Sequence, residues 1–352
     1  MSFLSRLLGF DQRKYAKIRD REGFRIATFD EVCGAYGGLR AMGGRAYQSP
    51  QNAIAFIEEA EKAIADKARV PFGASVGSLA HHWIDTDVEM GNEDAREAFV
   101  APFRAAHQAK DSPFSAALYA KACMLAAFDA RGSNWSHKTR ASAWEGFARW
   151  SEESLGALGA FKDRYEEALE TGNGHLFVPW AAQFFSSNAP QSSGPAKLVE
   201  LFNYCNRSDP YDLHLIRDAG YYMLPRWFGK DETDIEALAR ACANYTQDVY
   251  GHGAYAYVYG HVAKLGDQEI ETTDCDPQLL DQGYRDLRAR FPSIRLHNDH
   301  LNALVWAGLN DRAHEEFKDL RLIDDMSWGI YDDEQTVIHA VSIYSQLNDR
   351  AA

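Results

Sequence analysis

No run in this 352-residue chain approaches the ~20 consecutive apolar residues that span a bilayer, so no transmembrane segment is expected. Basic residues are in deficit, with 37 Lys and Arg against 51 Asp and Glu and a formal net charge of -14. Phosphate binding needs a basic face that releases counterions, so nucleic acid is not an expected partner, and anionic membranes are disfavoured on the same ground. Cysteine is sparse: Cys33, Cys123, Cys205, Cys242 and Cys275 are odd in number and scattered, without a C-x-x-C pair. They read as reduced thiols of a cytoplasmic protein. Neither a Gly-x-x-x-x-Gly-Lys-Ser/Thr nor a Gly-x-Gly-x-x-Gly loop is present, and the glycines between Gly34 and Gly44 read as a connector. No H-E-x-x-H or Cys/His cluster supplies a third ligand for His297 and His300 or for His81 and His82, so neither metal nor cofactor is expected.

What is there is apolar and aromatic. Apolar residues at 46%, with 8 Trp, 17 Tyr and 19 Phe, are ample for a folded core. Their spacing is helical. Ser49-Pro50 opens a helix with Ile54, Ile57 and Ile64, Asn92 starts one with Phe99 and Phe103, and Ser112-Pro113 starts one with Ala117 and Phe128. Ser136 is expected to open the next. Ile235, Leu238, Ala239, Cys242, Tyr245 and Val249 form a single stripe ending at Gly251, and residues 254–265 are expected to fold back across it. Tyr255, Tyr257 and Tyr259 alternate as in a strand, but a lone strand would leave its backbone groups unpaired, which favours helix. Asp276-Pro277 opens a helix ended by Pro292, Asn298 is expected to cap another, and Asp311 starts a third.

These helices predict an all-α fold of antiparallel helical hairpins. The polar run at 186–195 and the turn cluster at 171–174 suggest a division into an N-terminal segment and Gly-rich connector (1–48), a helical region (49–170), a loop-rich connector (171–195) and a second helical region (196–352). The first ten residues carry Phe3, Leu4, Leu7, Leu8 and Phe10 with the basic residues mostly following, which is the wrong order for a secretory signal. Such a short amphipathic piece can touch a membrane or a partner, though docking on its own chain is the expectation.

Residues 303–320 (ALVWAGLNDRAHEEFKDL) look like the inner half of a tetratricopeptide unit, a helix ending on a small residue followed by Ala, aromatic and Leu at four- and three-residue steps. Together with Pro225-Arg226-Trp227, the Tyr255–Tyr259 run, Gly283-Tyr284 and Phe291-Pro292, the C-terminal half resembles an uncharacterised family of bacterial tetratricopeptide-like proteins. The resemblance implies an irregular α-solenoid and no particular activity.

Two functional classes compete. Tyr222, Arg226, Trp227, His252, Tyr255 and Tyr259 gather aromatic, cationic and hydroxyl groups of the kind recognition surfaces use, so a non-enzymatic binding or scaffold module with a protein or peptide partner on a concave face is expected. The alternatives are a hydrolase built on Ser75, within the Gly-x-Ser-x-Gly form of residues 73–77, or an acidic immunity protein masking a basic partner. Asp324 and Asp325 are adjacent acids that point apart in a helix or turn. Asp85, Asp87 and Glu89 brush the pattern of a calcium loop, with Arg96 where a bidentate Glu is needed.

Overall fold

The computed structural model describes residues 12–84, 88, 90–132, 140–265, 268–328 and 333–351, and over these the chain is predominantly helical. The first ten residues, the acidic trio at 85, 87 and 89, and Ser136 lie outside them. No helix among the described residues is long and apolar enough to cross a membrane. Contacts divide the chain into two compact units, Met1–Gly34 with Glu236–Ala352, and Ala35–Ile235.

The described residues begin with α1 (Gln12–Glu22), followed by β1 (Arg25–Ile26) and α2 (Phe29–Cys33), which Thr28 and Glu31 start with a capping box. All three belong with the C-terminal residues.

In the unit Ala35–Ile235, local cap chemistry sets several helix starts. Ser49 accepts from Asn52 N ahead of Pro50 to begin α3 (Pro50–Ala65), and Ser75 accepts from Gly77 N to begin the short α4 (Val76–Ala80). Asn92 caps α5 (Glu93–Lys110) and Ser112 caps α6 (Pro113–Arg131). α6 is the centre of this unit. Its Ala116, Ala117, Ala120, Ala122, Ala126 and Ala127 are buried, and small side chains let α5, α7 (Ala141–Gly159) and the later helix Val178–Asn188 approach it closely. After α8 (Lys162–Glu170) comes α9 (Val178–Asn188), then α10 (Pro195–Asn206) and α11 (Leu213–Tyr222).

The expected connector at 171–195 is therefore largely helix. Pro179 occupies the first turn of α9, where it costs no hydrogen bond, and Phe184, Phe185 and Trp180 are buried. The polar run begins inside this helix because Ser187 is satisfied there, accepting from Gln183 Nε2 at 2.9 Å. Nor do the contacts divide the chain at that point: the boundary falls in the first turn of α12 (Glu232–Tyr245).

The other unit continues with α13 (Gly253–Leu265), α14 (Pro277–Arg290), α15 (Ile294–Trp306), α16 (Asn310–Phe317), β2 (Leu322–Ile323) and α17 (Asp333–Ala351). α13 is a helix although its tyrosines alternate, because α14 and α15 cover it on more than one face and Tyr255, Tyr257 and Tyr259 are all buried. α15 begins before Asn298: Ser293 is its cap, and Asn298 instead donates to Ile294 O and Leu322 O, both at 2.9 Å. β1 pairs in parallel with β2, Arg25 opposite Leu322 and Ile26 opposite Ile323. Around that pair lies an apolar cluster of Phe24, Phe317, Trp328, Val341 and Leu347, with Tyr15 and Ile18 of α1 packed on it.

Candidate functional site

The best-formed exposed surface is the turn that follows α11. Met223 and Leu224 are buried and anchor it, and the chain then folds back so that Trp227 N donates to Leu224 O at 2.9 Å and Phe228 N to Tyr222 O at 3.2 Å. Gly229 is what permits the return, since a Cβ there would fall 2.0 Å from Met223 O. The turn presents a linked set of rings. Tyr221 and Tyr222 meet edge to face at 5.2 Å, Trp227 lies 5.6 Å from Tyr221 and 5.7 Å from Tyr222, and Phe228 lies 6.3 Å from Tyr222. Arg226 stacks over Tyr221 at 5.2 Å. Trp227 remains 44% exposed, with Pro225, Arg226 and Lys230 exposed around it. Because the rings brace one another and the backbone is pinned from behind, this face holds its shape before any ligand arrives.

Of the six residues named from sequence, Tyr222, Arg226 and Trp227 share this surface in the unit Ala35–Ile235. His252, Tyr255 and Tyr259 belong to the other unit. There Tyr255 and Tyr259 are fully buried, and both hydroxyls donate to Glu236 Oε2, at 2.9 and 2.8 Å. Arg240 Nε binds the other oxygen of Glu236 at 2.5 Å, and Asp276 N donates to the Tyr255 hydroxyl at 2.7 Å. Burial also raises both phenols far above their ordinary pKa, so they stay neutral donors. The two tyrosines thus cross-link α12, α13 and the start of α14 and offer nothing outward, contrary to the expected concave recognition face. His252 is half-buried, and its backbone N donates to Asp286 at 2.8 Å. Sequence reasoning missed Glu236, whose position one turn before Arg240 carries no signal that two buried phenols converge on it.

Ser75 does not form a nucleophile elbow. Its hydroxyl is the cap of a five-residue helix, and the segment before it makes only an isolated bridge between Arg69 and Ser75. His81 and His82 close α4 with rings 4.0 Å apart, and neither ring nitrogen of the fully buried His81 has a hydrogen-bond partner. Burial, then the nearby Lys121 cation, lowers His81 to about 3, and burial also drives His82 well below its ordinary value. Asp212, buried in the same region, is raised to about 7, first by burial and then by Asp209. These shifts oppose each other. A buried neutral histidine stabilises the fold above its unfolded pKa near 6.5 and loses that contribution as pH falls, whereas protonated Asp212 stabilises at low pH and loses its contribution as pH rises through about 7. Two histidines outweigh one acid here, and burial lowers His107, His175, His300 and His339 as well, so unfolding free energy should fall as pH drops from 6.5 to 5, by about 1.4 kcal/mol per pH unit for each net proton. Denaturant titrations at several pH values check this, and His81→Gln should remove about one proton from the slope.

The second histidine pair is also committed. His300 is buried between Asp281 (2.9 Å) and Arg288 (3.0 Å), and His297 Nε2 meets Glu316 O at 3.1 Å. His297 borders a cavity of about 440 Å³ that is also lined by Arg285, Arg288, Ser293 and Glu316. Its cations are matched locally, Arg285 with Asp281 at 3.1 Å and Arg288 with Glu316 at 2.5 Å, which leaves little net field for a ligand. No group of His, Cys, Asp and Glu among the described residues has the arrangement of a metal site.

Comparison with protein-family models, with curated proteins and with solved structures gives no match for this chain.

Proposed function

We propose that this protein is a non-enzymatic recognition module that takes a short peptide segment of a partner protein on the Tyr221, Tyr222, Arg226, Trp227 and Phe228 surface. The observation that carries the reading is Trp227, a large aromatic held 44% exposed on a pinned turn. A rigid aromatic anchor beside an arginine is the composition from which binding hot spots are built. Arg226 and Lys230 favour a segment with an apolar side chain next to a carboxylate. The helix pair α15 and α16, which turns at Gly308, supports assignment to the tetratricopeptide-like class and an irregular solenoid, although that class is also a proposal. Five free, buried cysteines fit a reducing, cytoplasmic location.

Selection of a displayed peptide library on the purified full chain tests the reading. Enriched peptides should share an apolar-acidic pair, and Trp227→Ala should weaken them about thirtyfold or more while leaving thermal unfolding unchanged. Peptides that bind Trp227→Ala as tightly as the parent protein, or no enrichment at all, would remove this surface from consideration.

A further inference from the structure

Polar groups without partners gather between α4, α6 and α11. His81 and His82 directly follow α4, and their rings lie 4.0 Å apart. His81 has no solvent exposure, and neither of its ring nitrogens has a hydrogen-bond partner. Lys121 of α6 is half-buried, yet it makes no hydrogen bond or ion pair among the described residues. Its charge acts on both imidazoles, as does that of Arg217 on α11, so the four groups share one locus. Burial outweighs the pull of Asp218 and draws the Lys121 ammonium below its ordinary pKa, as for a cation that has lost water without gaining an anion. The carboxylates that face this locus are already engaged. Asp218 accepts from Arg217 Nε at 2.8 Å and from Nη2 at 2.6 Å, and Asp212 accepts from His214 N at 3.0 Å. Asp209, which faces Asp212, pairs with Arg69 at 3.3 Å.

We propose that His81, His82 and Lys121 form a binding site for the oxyanion of a small molecule, a carboxylate or a phosphate group. Buried polar groups in folded proteins are almost always satisfied, and an ammonium beside orphaned imidazoles is satisfied by acceptor oxygens. A metal cation would instead meet the repulsion of Lys121 and Arg217. His82, Lys121, Arg217 and Asp218 are half-buried, so the locus is not sealed and a small molecule has a side from which to enter. Burial, with Lys121 adding to it, keeps both histidines neutral in the free protein, and an arriving anion reverses that balance. Asp212, already raised to about 7, and His214 respond in the same sense, because a nearby anion favours the protonated form of every titratable group. Binding therefore takes up protons and tightens as pH falls. No residue of the Trp227 surface is used, so this inference stands independently of the function proposed above.

Isothermal titration of the full chain with sodium sulfate and, separately, with sodium acetate tests it, at an ionic strength held constant with chloride. Both probes keep their charge between about pH 8 and 6, so any change in affinity over that range belongs to the protein. At least one should bind, more tightly at the lower pH and with net proton uptake, read from the dependence of the heat on the buffer's ionisation enthalpy. Preference for sulfate would point to a phosphate-bearing ligand and preference for acetate to a carboxylic acid. Lys121→Met should weaken binding about tenfold or more and leave the thermal midpoint unchanged or raised, because methionine fills similar space without a desolvated charge. Absence of binding by both probes, proton release on binding, or a Lys121→Met variant that binds like the parent would overturn the proposal. So would a lowered midpoint in that variant, which would show that the ammonium serves the fold and not a ligand.

Discussion

Arg295→Ala is expected to lower the thermal midpoint of the unit formed by Met1–Gly34 and Glu236–Ala352 by about 10 °C, a loss of roughly 3–5 kcal/mol. Arg295 Nε binds Asp324 Oδ2 at 2.5 Å and its Nη2 binds Oδ1 at 3.2 Å, and the Asp324 side chain has no solvent exposure. Burial alone would raise this carboxyl, yet the guanidinium outweighs burial and holds it below its ordinary value. Without Arg295 an uncompensated carboxylate is left in the interior, together with the Ser327 hydroxyl and Met326 N that donate to it. Replacing both partners, Arg295→Met with Asp324→Leu, removes the charge as well as the attraction and should recover most of the loss. Thermal unfolding followed by circular dichroism checks both variants. A single substitution within about 1 kcal/mol of the parent would mean that water reaches the pair.

Gly283→Ala carries the second large effect. A Cβ at this position would lie 2.5 Å from His252 O and 2.7 Å from Ala256 Cβ, so α14 would have to move away from the start of α13. One of the obstructing atoms is backbone, which cannot rotate aside. Overpacking of this kind costs about 1–3 kcal/mol, and more where backbone must shift. The expected result is a loss at the upper end of that range with exposure of Tyr255 and Tyr259, seen as faster amide exchange along α13 and α14. An unchanged midpoint would show that the two helices slide freely over one another.

How legible all this was depends on how local the deciding chemistry is. Ser49-Pro50, Ser112-Pro113 and Asp276-Pro277 announce helix starts within four residues, and the structure places helices there. Tyr222, Arg226 and Trp227 meet on one surface because a single turn joins them, so proximity in sequence was enough. Tyr255 and Tyr259 are a different case. Their burial depends on how closely α14 approaches α13, which Gly283 and Gly260 permit, and on Glu236 arriving from α12 to accept their hydroxyls. An aromatic run reads the same whether it faces water or a neighbouring helix. The division of the chain was less legible still, because it rests on partners as distant as Arg25 and Leu322.

That last pairing has a consequence for biogenesis. Because β1 hydrogen-bonds to β2, the first 34 residues share a folding unit with residues 236–352, and the intervening 35–235 interrupt it. During synthesis the opening segment emerges long before its mates exist, so the interrupting unit can acquire its structure on the ribosome while α1 waits. Closing so long a loop before any reward is collected makes the outer unit the slow step of maturation.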